Sequence, residues 1–215
     1  MKHYSYFRSS AAYRVRIALN LKGVDYGQVS VDLVTAEQKA QPYLALNPQG
    51  LVPALELEDG TVLNQSMAIL EWLEDTYKTP ALYPAAATQR ALMRGFCLNI
   101  ACDVHPLNNL SVLNFLKDEL DAQQEQLAAW YSHWVCRVFD AAEQQVATDS
   151  GKFCFGNTPS MADCVLIPQM YNALRFNVDV GSYPTLMSIY EHCTSLPAFA
   201  SADPLKQSDN TDQAL

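Results

Sequence analysis

A proline at position 53 interrupts a run that otherwise reads as a strand, LVPAL at residues 51–55. Proline brings no N–H to a ladder, so within a sheet it marks an edge strand, a bulge or a special peptide bond. The text around it restricts the choice. HYSYF (3–7) reads as a short strand and residues 10–22 as a helix, with Val15, Ala18, Leu19 and Lys22 sharing a face, Ala11 below them, and Arg14 and Arg16 pointing elsewhere. Gly23 stands where a helix C-cap glycine belongs. YGQVSVDL (26–33) alternates as a second strand, and TAEQKAQPYLALNP (35–48) is a weak, polar helix that ends at Pro48. LVPALEL (51–57), the turn EDG and TVLNQS (61–66) form a hairpin-like pair. SMAILEWLEDTY (66–77) then repeats Met67, Leu70 and Leu73 at helical spacing, with Ser66 as its cap. The order is βαβαββα.

The second half reads differently. Pro80, Pro84 and the alanines at 85–87 make a linker, and from Thr88 onward no convincing strand appears. Residues 88–114, 121–147, 160–175 and 184–196 carry helical periodicity, and Ser160 with Asp163 forms a capping box ahead of an apolar run. The expectation is an α/β domain at 1–80, a linker at 81–87, an all-α helical-bundle domain at 88–203 and a polar tail at 204–215.

Charge and composition exclude several partners. The 215 residues are 49% hydrophobic and 17% charged, enough to bury a core. Net charge is −9 and the pI about 4.8, which argues against nucleic acid and against an anionic membrane surface. MKHYSYF holds no apolar signal core, and no apolar run approaches the roughly 20 residues of a membrane span, so a soluble, cytoplasmic protein is expected. The six cysteines, Cys97, Cys102, Cys136, Cys154, Cys164 and Cys193, contain no C-x-x-C pair, which leaves no zinc or dithiol motif. No metal is called for. The first 96 residues hold no thiol at all.

Three short stretches in the first domain carry chemistry. A βαβαββα unit with a proline opening its third strand looks like the thioredoxin-like fold, in which that proline is cis and the preceding backbone, here Val52, is offered to a ligand peptide. An ordinary edge proline is the competing reading of Pro53 taken alone. Asn64, Gln65 and Ser66 follow a strand and open a helix, where backbone amides and a hydroxyl suit a carboxylate. Ser9 and Ser10 sit at another strand-to-helix junction, where one serine would suffice as a cap.

The stretches YSYFRSSAAYRVRIALNLKGVDY, ALNPQGLVPALELEDG, NQSMAILEWLED and MADCVLIPQMYNALRFNVD resemble the zeta-class glutathione transferases from residue 2 to about residue 200. The most specific signature is SS-x-x-x-RVRIAL. The resemblance implies that glutathione is the cofactor, and that the reaction is cis–trans isomerisation of a maleyl diacid by reversible thiolate addition. Maleylacetoacetate to fumarylacetoacetate, in tyrosine and phenylalanine breakdown, is the first substrate reading. Maleylpyruvate, small halogenated acids in a general transferase reaction, and a non-catalytic glutathione-binding protein are the alternatives.

Residue by residue, the resemblance gives Ser9 and Ser10 as catalytic, Ser9 donating to the sulfur and Ser10 free to cap the helix. Glutathione would further meet Ala11, Gln38 at its glycyl end, Val52 in strand fashion, and Gln65 and Ser66 at its γ-glutamyl carboxylate. In CDVHPLNNLSV (102–112), His105 and Asn109 would contact glutathione and Asn108 the tripeptide or the substrate. Arg8 and Arg175 would take the carboxylates of the diacid, since guanidinium forks bind carboxylates bidentately. A homodimer is implied. The sequence departs from the class at Ala11, where a cysteine usually follows the two serines; because the nucleophile belongs to glutathione, the isomerisation does not need it.

Overall fold

The computed structural model describes residues 1–210. Their contacts divide the chain into two compact units, one made of Met1–Leu82 together with the segment from Thr194, the other of Tyr83–Cys193.

The first unit is built on a four-stranded sheet. Strands β1 (Lys2–Ser5), β2 (Gly27–Ser30), β3 (Ala54–Glu56) and β4 (Val62–Asn64) lie in the order β2-β1-β3-β4. β1 and β2 are parallel, with Lys2 opposite Gly27; β1–β3 and β3–β4 are antiparallel. The parallel pair needs a crossover, and helix α1 (Ser10–Lys22) supplies it. Period-2 alternation in β1 separates two faces. Tyr4 points toward helix α2 (Gln41–Leu46), packing edge-on to Tyr43 in a cluster with Val31 and Ala54. Ser5, on the opposite face, receives a bond from Arg16 of α1 at 3.0 Å. Helix α3 (Ser66–Thr76) packs beside α1.

The strand and helix order expected from the sequence is present, in shorter pieces. The expected helix at 35–48 is a 3-10 turn at Glu37–Lys39 followed by the six residues of α2. Gly23 ends α1 in the left-handed conformation at φ 64°. The Val52–Pro53 bond is cis, as the proline reading expected, and Thr79–Pro80 is cis as well.

One expectation about α1 is corrected. Arg14 and Arg16, read as pointing off the buried face, are both buried themselves, and α1 is covered nearly all round. Buried guanidinium groups need acceptors, and Arg16 finds three, the carbonyls of Ala202 and Phe7 and the hydroxyl of Ser5. Lys22 is likewise buried, with Nζ on Glu74 of α3 at 2.5 Å and on the carbonyls of Tyr77 and Pro80.

The second unit is helical: α4 (Ala87–Asp103), α5 (Leu110–Asp118), α6 (Gln124–Asp149), α7 (Met161–Arg175) and α8 (Pro184–Thr194). Apart from isolated bridges at Ser150–Gly156 and Phe153–Gly156, no strand occurs among its described residues. α7 is its core helix, apolar and buried over Met161–Met170. Its start is the capping box read from the sequence, with Asp163 accepting from the Ser160 backbone at 2.8 Å. Cys97, Cys154, Cys164 and Cys193 are buried free thiols.

The C-terminal boundary falls elsewhere than the sequence suggested. Helix α9 (Pro197–Ala200), expected in the helical domain, and the turn Pro204–Lys206, expected in a polar tail, both group with the first unit. Hydrogen bonds explain it, since Asn20 donates to the Ala198 carbonyl at 2.9 Å and Arg16 to that of Ala202.

Candidate functional site

Four junctions of the first unit carry the residues singled out from sequence. At the start of α1, Ser9 is extended and its Oγ accepts from the Ala12 N–H at 3.2 Å. Ser9 is therefore the N-cap, and Ser10, expected to serve as cap, is the first helical residue and buried. The cap uses an acceptor lone pair of Ser9, so its hydroxyl proton remains available to donate. The carbonyl of Ser9 takes the Tyr13 N–H. The Ala11 N–H meets no acceptor among the described residues, which keeps a first-turn amide in reserve beside the Ser9 hydroxyl.

At the start of α3, Gln65 occupies the N-cap at φ 65° and makes no side-chain cap bond. The cap expected at Ser66 is thus shifted by one residue, with Ser66 inside the helix. The positive φ of a non-glycine residue is a strained conformation of the kind that clusters at ligand sites. Gln65 Nε2 donates to Gln49 Oε1 at 3.0 Å. Ser66 is buried and its Oγ accepts from Arg14 Nη1 at 3.2 Å, so a buried cation stands directly behind the first turn of α3. A lone pair of Ser66 meets Arg14, which leaves its hydroxyl proton available to donate to an anion at the helix start.

Between these helix starts runs the loop ahead of β3. Tyr43 Oη and Asn47 Nδ2 both donate to the Leu51 carbonyl, at 2.6 and 2.8 Å, and Asn47 Oδ1 accepts from the Gln49 N–H and from Asn64 of β4. This fixes the half-buried Val52 ahead of the ladder, where its backbone is not committed to β1 or β4. Gly50, at φ +63°, lets the Gln38 carbonyl approach so closely that a Cβ would lie 3.0 Å from it. Gln38 is thereby held against the Val52 loop, and its Oε1 is buried with no hydrogen-bond partner. A buried acceptor without a donor is costly unless a ligand supplies one.

Arg8 lies between β1 and α1, its guanidinium 5.0 Å from the Phe7 ring centroid. The remaining candidates are in the second unit. His105, Asn108 and Asn109 occupy the turn between α4 and α5, with the His105 N–H on the Ile100 carbonyl. Asn109 is the N-cap of α5, its Oδ1 accepting from the Ser111 backbone at 2.9 Å. Asn108 Nδ2 donates to the Tyr131 carbonyl at 3.1 Å, and its buried Oδ1 has no partner. Arg175 ends α7, exposed, 4.9 Å from the centroid of Phe176, which stacks on Tyr131. The structure thus brings Ser9, Gln38, Val52, Gln65 and Ser66 onto one unit and the other candidates apart from Arg8, Ser10 and Ala11 onto the second. No cluster of residues suited to hold a metal occurs among the described residues.

Sequence reasoning missed Arg14 and Asn47. An arginine inside an amphipathic run carries no mark of burial until its acceptor, 52 residues away, is known. Asn47, in ALNPQG, had a usable signal: an Asn–Pro pair is turn chemistry, and the asparagine amide can organise the loop that follows.

Comparison with known proteins gives a consistent picture. A family model described as glutathione S-transferase, N-terminal domain, matches residues 8–76. The chain is 44% identical over 211 residues to a maleylacetoacetate isomerase of Pseudomonas aeruginosa, covering 97% of this chain and 98% of that one. The holo structure of a maleyl pyruvate isomerase, a bacterial glutathione S-transferase in zeta class, matches with a TM-score of 0.95 and 43% identity, over 98% of this chain and all of the other. A maleylacetoacetate isomerase of Methylobacterium extorquens, solved with bound malonate and GSH, matches at a TM-score of 0.92 and 39% identity, over 96% and 98% of the two chains.

Proposed function

The chain belongs to the glutathione transferase family, among the zeta-class isomerases, and on that premise we propose that it is a glutathione-dependent cis–trans isomerase of a maleyl diacid. One observation carries the reading. The unit that holds Ser9 at the first turn of α1 contains no cysteine, and the free hydroxyl proton of Ser9 beside a helix start fits a thiolate brought by a ligand. The residues fit glutathione: the partnerless Gln38 Oε1 suits an amide N–H at the glycyl end, the Val52 backbone suits the cysteinyl residue, and the start of α3 at Gln65 and Ser66, backed by Arg14, suits the γ-glutamyl carboxylate.

Bound glutathione supplies a thiolate that adds reversibly to the cis double bond, so that the former double bond can rotate before the thiolate leaves again. The chain does the rest. Ser9 donates its hydroxyl proton to the sulfur, and the Ala11 amide at the start of α1 adds a second dipole. A helix N-terminus lowers a thiol pKa from its ordinary value of about 8.5. Ser10, buried beside them, holds the first turn in shape. Arg8 and Arg175 take the two substrate carboxylates, and Asn108, with its partnerless oxygen, serves the polar part of the ligand. We assign His105 and Asn109 to glutathione; the Asn109 oxygen is engaged as a cap, which leaves its amide NH₂ for that contact.

Maleylacetoacetate is the substrate we favour, with a place in tyrosine and phenylalanine breakdown, in the cytoplasm, as a homodimer. No helix among the described residues is long and apolar enough to cross a membrane. Two observations favour maleylpyruvate as the second reading, Ala11 in place of the class cysteine and the segment CDVHPLNN. The deciding experiment compares kcat/KM for maleylacetoacetate and maleylpyruvate with glutathione saturating. A higher value for maleylacetoacetate supports the first reading and the reverse order the second; no isomerisation of either removes both.

A further inference from the structure

The loop that carries Arg8 and Ser9 is held at a single residue, Phe7, by the C-terminal segment. Phe7 is buried, and its N–H donates to Asp209 Oδ2 at 2.9 Å. The Phe7 carbonyl accepts from Arg16 Nη2 at 3.0 Å, and the same guanidinium donates through Nε to the Ala202 carbonyl at 2.9 Å. Both backbone polar groups of Phe7 therefore lead to residues 202–209, one directly and one through Arg16. The loop then closes on itself by the Ser9 N–H on the Tyr6 carbonyl at 2.9 Å. Asp209 is held in its turn by the edge strand, with Oδ1 accepting from Gln28 Nε2 at 3.2 Å and Oδ2 from Ser30 Oγ at 3.3 Å.

At Asp209 the attachment is made by the carboxylate. A cavity bounded by Tyr6, Ser30, Asp32, Val34, Ser208 and Asp209 opens beside it, so the strap is propped against the sheet by its hydrogen bonds. Charge agrees with the geometry. Burial, the largest influence, works against the Arg16 cation, and the Asp209 and Asp203 carboxylates act in the opposite sense. Phe7 also forms the platform beneath the Arg8 guanidinium. One anchor thus governs two groups, the Arg8 fork and the Ser9 hydroxyl.

We propose that Asp209 is a positioning residue of the active site: by accepting the Phe7 N–H it sets the loop that aims Ser9 and Arg8, and so couples the C-terminal strap to turnover. The inference rests on the isomerase reading above. It differs from simple stabilisation in what it predicts, because a misplacement of about 1 Å at a reacting centre can cost about a hundredfold in rate while leaving the fold intact. In the isomerase reading glutathione is also held at Gln38, Val52, Gln65 and Ser66, away from the Phe7, Gln28 and Ser30 bonds of Asp209, so its binding should survive the loss of the anchor.

The test compares the parent with Asp209→Ala and Asp209→Asn, reading kcat and the glutathione KM with maleylacetone, the ultraviolet absorbance of the bound glutathione thiolate, and exchange of the Phe7 amide. Asn keeps an acceptor for Phe7 and can re-pair with Gln28 and Ser30 by rotating their polar ends. The expected result is a fall of about tenfold or more in kcat for the alanine variant, with weaker thiolate absorbance, faster Phe7 exchange and a nearly unchanged glutathione KM, and recovery of most of each in the asparagine variant. An alanine variant that melts lower but keeps its kcat overturns the proposal, and so does an asparagine variant as impaired as the alanine one. A parent protein without isomerase activity counts against the functional reading instead; the anchor is then decided by the Phe7 amide, and unchanged exchange in Asp209→Ala overturns it.

Discussion

Ser9 has two tasks in this structure. Its oxygen caps α1 through the Ala12 N–H, and its hydroxyl proton is free for the thiolate role proposed above. Ser9→Ala should lower isomerase turnover by about 10²–10³, the usual loss of one well-placed donor to a developing anion, and should cost about 1 kcal/mol of stability as a lost cap. Ser10→Ala should lower turnover far less. Steady-state kinetics beside thermal melts separate the two effects, and Ser9→Thr, which keeps the hydroxyl, should recover both. The arginines answer a different question. Arg8→Ala or Arg175→Ala should weaken binding of the diacid by roughly 1.5–3 kcal/mol, the range for charge-assisted hydrogen bonds, while a neutral electrophile is converted as well as by the parent. Equal losses on both substrates would mean that the arginines serve the fold or the cofactor. At this scale the legible residues were those at element junctions, where serines, prolines and glycines punctuate the chain. Arg14, Asn47 and Asp209 were not assigned, because what they do depends on partners brought near by folding: Phe7 and Asp209 are 202 positions apart.

Among the elements, β1 carries an unusual group. His3 is fully buried, neither ring nitrogen has a hydrogen-bond partner, and Tyr26 meets it edge-on. Burial first, and the Arg16 cation second, push its pKa down from 6.5 to about 3. The folded state therefore refuses a proton that the unfolded chain accepts below its ordinary value, so the contribution of His3 is complete above that value and is lost as pH falls toward the folded one. Urea midpoints should fall as pH drops from roughly 6 to 4, and His3→Leu should flatten that slope because one proton-linked group is gone. An unchanged slope would assign the acid sensitivity to carboxylates alone. Element types and order were readable from periodicity, Gly23 and the Ser160–Asp163 box; the failure was in α1. Its apolar face predicted one buried side, whereas Ser5, Phe7, Ser66 and Ala202 supply acceptors that allow the arginine side to be buried too.

For the whole molecule, the order of an α/β half and a helical half was legible, but the return of residues 194–210 to the first unit was not, because polar tail text does not reveal which carbonyls an interior arginine will seek. Large apolar side chains remain exposed on the second unit, Leu92 and Leu98 on α4 and Leu110 and Phe115 on α5. The dimer proposed above would cover such side chains. Light scattering at micromolar concentration should give about twice the 23.9 kDa chain mass, and a clean monomer would refute it. The central claim is that glutathione enters the reaction and leaves it unchanged. The most direct measurement follows maleylacetone and total free glutathione together by proton NMR in the presence of the enzyme. The expected result is complete conversion of the cis to the trans isomer by substoichiometric glutathione, whose concentration is the same at the end as at the start, and no enzymatic conversion without it. Conversion that needs no glutathione, or that consumes it into a stable adduct, would contradict the account.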